Sequence, residues 1–227
     1  MDIGRAITYV FQDPAWLRKT LIGAVLLIIP IVGAFFVAGY VLRTIRRVIE
    51  GTDSPLPEWD DFGGDLVRGL KVIVAILVWA LPAIVIWFFA LIPTAIADNN
   101  STNGNAFTAL AALVSLAANC LVILFGILVT FVQPLVLSRL ALRESLADAF
   151  DFSAIIAEAR ANATKLLIVL VMQYVIGLVA SLGIFVFVIG IVFTAFLSYL
   201  MLAHLYGQVR RQIVYPHMTT SRFEPPV

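Results

Sequence analysis

Uninterrupted apolar runs dominate the chain, and they predict membrane-spanning helices. Four blocks contain no Asp, Glu, Lys or Arg: residues 20–42, 72–97, 99–138 and 166–209. A helix of about 20 apolar residues is long enough to cross the hydrocarbon core of a bilayer. Block 72–97 therefore predicts one span, with Pro82 as the site of a kink.

Two of the blocks must be subdivided. Block 99–138 opens with the polar run NNSTNGN, which predicts a loop over 98–106 and a span over 107–138. At 1.5 Å per residue, a single helix over 166–209 would be more than twice as long as a ~30 Å hydrocarbon core. This block must fold back, and the sequence Ser-Leu-Gly at 181–183 predicts the corner. The resulting spans cover 164–181 and 184–209.

The basic residues orient these spans. Loop 98–106 contains no Arg or Lys, whereas the segments 43–71, 139–163 and 210–227 each contain at least three. Cytoplasmic loops carry an excess of Lys and Arg. The three basic segments, including the C-terminal tail, are therefore predicted to be cytoplasmic and loop 98–106 external, in a multi-pass protein of the plasma membrane. Segment 139–163 is predicted to be amphipathic.

Block 20–42 has two possible topologies. Its length fits one crossing, but Arg18 and Lys19 precede it and Arg43 follows it. A single crossing would place the basic N-terminal segment 1–19 outside, against the positive-inside rule. The alternative is a re-entrant hairpin that bends between Pro30 and Gly33 and leaves the N-terminus cytoplasmic at the interface. The charges favour the hairpin, and a fifth span is the alternative.

The loop at 43–71 contains an acidic, aromatic patch, PLPEWDDFGGD. Pro57 suits the first position of a short amphipathic helix, whose first turn would hold acids favoured by the helix dipole. Trp59, Phe62 and Leu66 would share its membrane-facing side. We predict that this patch is latched to the preceding helix by an interfacial set of residues: Arg43, Arg46, Arg47, Glu58, Trp59, Asp60, Asp61 and Phe62. A cation site is the alternative, but the patch lacks EF-hand spacing.

Composition agrees with the hydrophobic pattern. Hydrophobic residues make up 62% of the 227 and charged residues 13%, with a mean hydropathy of +1.02. Soluble domains have about 45–50% apolar and about 25% charged residues. The chain is predicted to be an all-α, polytopic helical membrane protein with four full spans, an N-terminal re-entrant hairpin or fifth span, and short interfacial helices. Its net charge of +1 and its lack of a basic stripe give no indication of nucleic-acid binding.

Chemically reactive residues are scarce in the apolar blocks. Apart from four tyrosines and Cys120, the single cysteine, His204 is their one ionisable residue. Intramembrane ionisable residues usually mark functional sites, and a lone histidine at a helix end is commonly structural. The sequence therefore predicts no catalytic, metal or cofactor site. A non-enzymatic scaffold or accessory subunit is favoured, with the bilayer, itself or other membrane proteins as partners; the alternative is a small-solute transporter or channel.

Polar but uncharged residues form a stripe along the span at 107–138. Its members recur at helical spacing: Ser115, Asn119, Gly126, Thr130 and Gln133. Small residues let membrane helices approach closely, and amides hydrogen-bond between them. We predict that this polar stripe packs against another helix. A polar path for a solute is the alternative.

Three strings carry a family resemblance: FQDPAWLRKTLIG, IPIVGAFFVAGYVLRTIRRVIEG and PLPEWDDFGG. They resemble prokaryotic multi-pass membrane proteins of domain-of-unknown-function family 4013, most specifically over residues 7–70. The resemblance implies a multi-pass membrane protein of bacteria or archaea. Because the family has no assigned activity, the resemblance implies no functional residues.

Overall fold

In the computed structural model, which describes residues 2–52, 56–99 and 105–215, every regular element is a helix. The α-helices are α1 (Ile3–Thr8), α2 (Trp16–Ile28), α3 (Val32–Glu50), α4 (Phe62–Asn99), α5 (Asn105–Arg143), α6 (Leu146–Ala149), α7 (Phe152–Ala161), α8 (Ala163–Ser181) and α9 (Phe187–Val214). Short 3₁₀ helices lie at Tyr9–Gln12 and Leu182–Val186. The predicted all-α class is confirmed.

Four stretches of these helices are long and apolar enough to cross a membrane. They are Phe62–Pro93, Thr108–Arg143, Ala163–Phe185 and Gly190–Val214. Each overlaps one of the four predicted spans, so the prediction of a polytopic helical membrane protein is confirmed. Of the most apolar 18 residues in each stretch, between 17% and 44% are buried inside the single chain, which leaves outer faces for contact with lipid.

The chain divides into two compact units. One comprises Ile76–Phe131, which are parts of α4 and α5, and the other comprises Met1–Ala75 and Val132–Val227 in their described parts. In the larger unit α9 is central, because it packs against α1, α2, α3 and α8. Its buried core includes Tyr9, Val10, Val37, Tyr40, Leu56, Phe196 and Leu200.

Block 20–42 forms a helical hairpin, because the chain turns between α2 and α3. Ile31 has φ +64° and ψ −65°, close to the values of a γ-turn. The amide of Val32 accordingly donates to the carbonyl of Pro30 at 2.7 Å. The turn lies where Pro30 and Gly33 predict a bend. A Cβ at Gly33 would overlap the carbonyl of Leu26, so the start of α3 passes directly over the end of α2.

The acidic patch differs from its predicted form, because no separate helix begins at Pro57. Residues 56–61 are irregular, and α4 begins at Phe62. Asp61 caps α4 by accepting a hydrogen bond from the amide of Gly64 at 3.0 Å. The helix starts later than predicted because the carbonyls of residues 56–58 accept hydrogen bonds from side chains of α2 and α3 instead of from helical amides.

Helices α3 and α4 approach closely at two glycines. A Cβ at Gly39 would overlap the main chain of Asp65, and one at Gly69 would overlap the main chain of Phe35. In both places the neighbouring atoms are backbone, which cannot move aside as a flexible side chain can. The glycines therefore fix how the first turns of α4 lie against the hairpin.

Replacing Gly39 with alanine should destabilise the chain by about 1–3 kcal/mol, the usual cost of overpacking a core. The matched control is Gly63→Ala in the first turn of α4, where a Cβ would meet no atom within 4 Å. That change should stay within about 0.5 kcal/mol of wild type. Thermal unfolding of the purified variants in detergent measures both, and equal melting of Gly39→Ala and wild type would contradict the close approach.

Candidate functional site

An irregular segment, which we call the strap (residues 56–61), lies across α2 and α3. Three consecutive carbonyls of the strap each accept a hydrogen bond from a side chain of the hairpin. The donors are Lys19 Nζ to Leu56 O at 2.8 Å, Tyr40 Oη to Pro57 O at 2.7 Å and Arg43 Nη2 to Glu58 O at 2.6 Å. Because the donors come from both helices, the strap joins them to each other.

A buried ion pair lies beneath one end of the strap. Lys19 Nζ is 2.7 Å from Asp13 Oδ2, and the two side chains are 1% and 2% exposed. Lys19 also pairs with Glu58 at 2.6 Å. Asp13 accepts hydrogen bonds from the backbone amides of Leu56 and Ala15, each at 2.7 Å. Both charges are therefore compensated, as a buried pair requires.

The surroundings of Asp13 keep it ionised. Burial raises the pKa of its carboxyl, but the hydrogen bond from Lys19 and the two backbone hydrogen bonds lower it by more. The pKa of Asp13 therefore lies below its usual range. At neutral pH this carboxylate is a permanent partner for Lys19.

Trp59 fastens the strap through its aromatic ring. The ring stacks on Tyr40, with centroids 4.1 Å apart and planes inclined by 17°, and its Nε1 donates to the carbonyl of Lys19 at 3.0 Å. Trp59 thus packs against the hairpin. Trp59 is half-buried and its ring centroid lies 6.0 Å from that of Phe62, while Phe62 and Leu66 are exposed. The membrane-facing side predicted for these three residues stays a prediction.

The acids at the start of α4 meet two arginines. Asp65 is fully buried and lies 2.7 Å from Arg43 and 3.2 Å from Arg68. The same two arginines hold the exposed neighbours, with Arg43 at 2.9 Å from Asp60 and Arg68 at 2.9 Å from Asp61. This arrangement locks the end of the strap to α3.

Of the three arginines predicted to answer the acids, only Arg43 contacts residues 58–65 in the described chain. Arg46 pairs instead with Glu50 and with Glu144, each at 2.9 Å, and Arg47 donates to the carbonyl of Thr52 at 3.3 Å. Arg46 therefore links α3 to the corner after α5. Arg18 takes up the remaining acid, 3.2 Å from Glu58.

A second charged cluster joins α5, α7 and α9. Glu158 lies 2.8 Å from Arg139 and 2.7 Å from Arg210. Burial raises the pKa of Glu158, but its hydrogen bonds and the charges of the two arginines outweigh this, so the pKa lies below the usual range. The cluster fastens the amphipathic segment to two long helices.

The polar stripe makes its described hydrogen bonds within α5. Asn119 Nδ2 donates to the carbonyl of Ser115 and Thr130 Oγ1 to that of Gly126, both at 2.8 Å. Gly126 is exposed, and a Cβ there would meet no atom within 4 Å. Gln133 is half-buried. Packing of this stripe against another helix stays a prediction.

Polar residues of the last helix pair inside the bundle. Gln173 Nε2 in α8 donates to the hydroxyl of Tyr206 in α9 at 2.6 Å. His204 is buried, its ring lies 4.3 Å from that of Tyr9, and its Nδ1 is 2.9 Å from Gln208 Nε2. These contacts give His204 a place in the packing between α9 and the N-terminal segment.

The charged residues of the site attach helices of the chain to one another. Each carboxylate of the strap points at a lysine or arginine of the chain. Among the residues that the structure describes, no three His, Cys, Asp or Glu side chains are grouped to hold a metal ion. The arrangement brings together charges that hold helices in place.

Comparison with known proteins identifies a family. The family model described as "Protein of unknown function (DUF4013)" matches residues 22–202. No curated protein and no solved structure matches the chain. The matched region includes α3, the strap and most of the helices described above.

Proposed function

The chain belongs to the DUF4013 family, and we propose that it acts as a non-enzymatic scaffold or accessory subunit of an assembly in the plasma membrane. The observation that carries the proposal is that the charged residues around the strap form ion pairs with one another. Lys19, Arg43 and Arg68 are each held by carboxylates of the same chain. Such a network holds α2, α3 and the start of α4 in fixed positions, as a scaffold requires.

An enzyme would use its polar residues differently. A catalytic constellation aims a nucleophile, a base and a stabilising donor at one shared space where substrate can bind. In the strap, the carboxylates of Glu58, Asp60 and Asp61 instead point at neighbouring cations. This geometry is suited to holding helices together rather than to catalysis.

The surface of α5 supports a partner helix. Asn119 and Gly126 are exposed on it, and in membranes such small and amide-bearing residues let helices approach and hydrogen-bond. A copy of the same chain or another membrane protein could supply that helix. We propose that α5 is where the assembly forms, with both termini of the chain in the cytoplasm.

A small-solute transporter or channel is the second candidate. One observation favours it: Ser115 Oγ, in the polar stripe, is buried with no hydrogen-bond partner in the described chain. A polar solute could satisfy such a group. The two functions differ in what the stripe should do when its polarity is removed.

Replacing Asn119 and Gln133 with leucine should weaken self-association if α5 is an assembly face. The loss should be about 0.6 kcal/mol for each interhelical hydrogen bond, or roughly threefold in the association constant. Cys120 is exposed and adjoins Asn119, so a bifunctional thiol reagent can report the association in the bilayer. The control is Leu121→Val, which should leave the crosslinking yield unchanged.

The same variants distinguish the transporter. If the stripe lines a solute path, Asn119→Leu and Gln133→Leu should abolish solute uptake into proteoliposomes while the yield of crosslinked protein and the melting temperature stay as in wild type. That combination would contradict the scaffold.

A further inference from the structure

The corner of the α2–α3 hairpin is an exposed apolar tip. Ile28, Ile29, Ile31 and Val32 are all exposed, and Ile31 is 75% exposed. Leaving four large aliphatic side chains in water would be costly, since burying each contributes about 1.5–3 kcal/mol. The tip therefore needs an apolar partner.

One face of α2 continues this apolar surface. Its exposed side chains follow one another at intervals of four, four and three residues, so they form a stripe along the helix. They are Leu17, Leu21, Val25 and Ile28. The opposite face of α2 is buried against α9, where Gly23 lies on the ring of Phe196. The hairpin thus turns its apolar stripe outward from the bundle.

Three of the four backbone amides between residues 29 and 33 have a hydrogen-bond partner at the corner. Hydrocarbon offers no hydrogen bonds, so backbone amides at that depth must be satisfied within the protein. The amides of Ile29, Val32 and Gly33 donate to carbonyls of the corner itself at 3.0, 2.7 and 3.2 Å. Pro30 has no amide hydrogen to satisfy. The γ-turn therefore closes the hairpin without a polar loop.

The length of the hairpin fixes how deep the tip can lie. No charged residue occurs between Lys19 and Arg43, and the charged residues of α4 beside this stretch, Asp65 and Arg68, are paired with each other and with Arg43 or Asp61. At the level of Lys19 and Arg43, Glu58 and Asp60 are exposed and require water or headgroups. From Lys19 to Ile29, and from Arg43 back to Val32, each arm rises about 15 Å, which is half of a ~30 Å hydrocarbon core. Neither arm can reach the opposite surface.

We propose that the α2–α3 hairpin is an intramembrane wedge that enters only the leaflet on the strap side. Its tip ends near the middle of the bilayer, and its outer stripe contacts the acyl chains of that leaflet. The strap and its ion pairs lie at the headgroups and hold the two arms together. This inference does not depend on the scaffold role.

Depth-dependent quenching tests the wedge. Single cysteines replace Leu17, Val25 or Ile31 in a Cys120→Ser background, and each is labelled with a fluorophore on the purified full chain. The variants are reconstituted into phosphatidylcholine vesicles whose lipids carry a quencher at shallow, middle or terminal acyl carbons. Since the three positions lie along the outer stripe and tip, they act as controls for one another.

The wedge predicts a graded result. The label at 17 should be quenched best by shallow groups, the label at 25 by middle groups and the label at 31 by terminal groups. The same profile at all three positions would mean that the hairpin lies flat on the surface. Quenching of position 31 by an aqueous quencher, or no quenching by any lipid-borne group, would mean that the tip is in water or covered by protein. Each of these results would overturn the proposal.

Discussion

Replacing Lys19 with methionine should destabilise the chain by about 3–5 kcal/mol, the cost of removing one partner from a buried ion pair. Methionine keeps most of the length of the side chain but removes its charge and its donors. Asp13, 2% exposed, would lose its counter-charge, and the carbonyl of Leu56 would lose its donor. The neighbouring change Arg18→Met is the matched control.

Arg18 also pairs with the strap, through Glu58, but its side chain is 71% exposed. Exposed pairs contribute at most about 1 kcal/mol, so Arg18→Met should be nearly neutral. Denaturant titration of the purified chain in detergent compares the two. Adding Asp13→Asn to Lys19→Met should recover part of the loss, because the uncompensated charge disappears. Equal losses for the two single variants would contradict the buried latch.

The spanning helices could be predicted from sequence because their cause is local. A run such as 72–97 excludes charge over more than the length that a bilayer requires, and no distant contact can reverse that requirement. The turn at Pro30–Gly33 was equally local, since it depends on two residues that interrupt a helix. These features needed only the order of residues in short windows.

The strap could not be predicted in the same way. Locally, Pro57 followed by acids is typical of a helix N-terminus. The structure departs from that pattern because donors distant in sequence, on Lys19 and Tyr40, take the carbonyls that a helix would use. The residues next to Pro57 in the sequence do not include those donors, so a local pattern cannot reveal them.

The sequence also could not show which of the three arginines pairs with the acids of the strap. Arg43, Arg46 and Arg47 lie within five residues of α3, and charge alone makes them equivalent partners for the acids. Their partners are decided by the direction in which each leaves the helix, which depends on how α3 packs on α9. Asp13 and Lys19 were missed as site residues because charges at the end of an apolar block also serve as topology markers. The signal that could have identified them is that they lie on either side of Trp16 in FQDPAWLRKTLIG, one of the strings that resemble the family.

Both ends of the chain should be labelled only from the cytoplasmic side, and residues 98–106 only from outside. Single cysteines at Thr8, Asn103 and Thr219 in a Cys120→Ser background report this with an impermeant thiol reagent on intact cells. Thr8 is exposed in α1, whereas Asn103 and Thr219 lie outside the described residues. Labelling at position 103 alone is the expected result.

The physical reason is the charge at both ends of the hairpin. If α2 and α3 together crossed the membrane once, Lys19 and the strap that it holds would lie on opposite sides. Lys19 Nζ instead bonds the carbonyl of Leu56 at 2.8 Å, so residues 19 and 56 share one side. Labelling at both 8 and 103 would require that contact to be broken in the cell, and would make block 20–42 an ordinary span. Labelling after permeabilisation confirms that positions 8 and 219 are reactive, so their protection in intact cells reports sidedness.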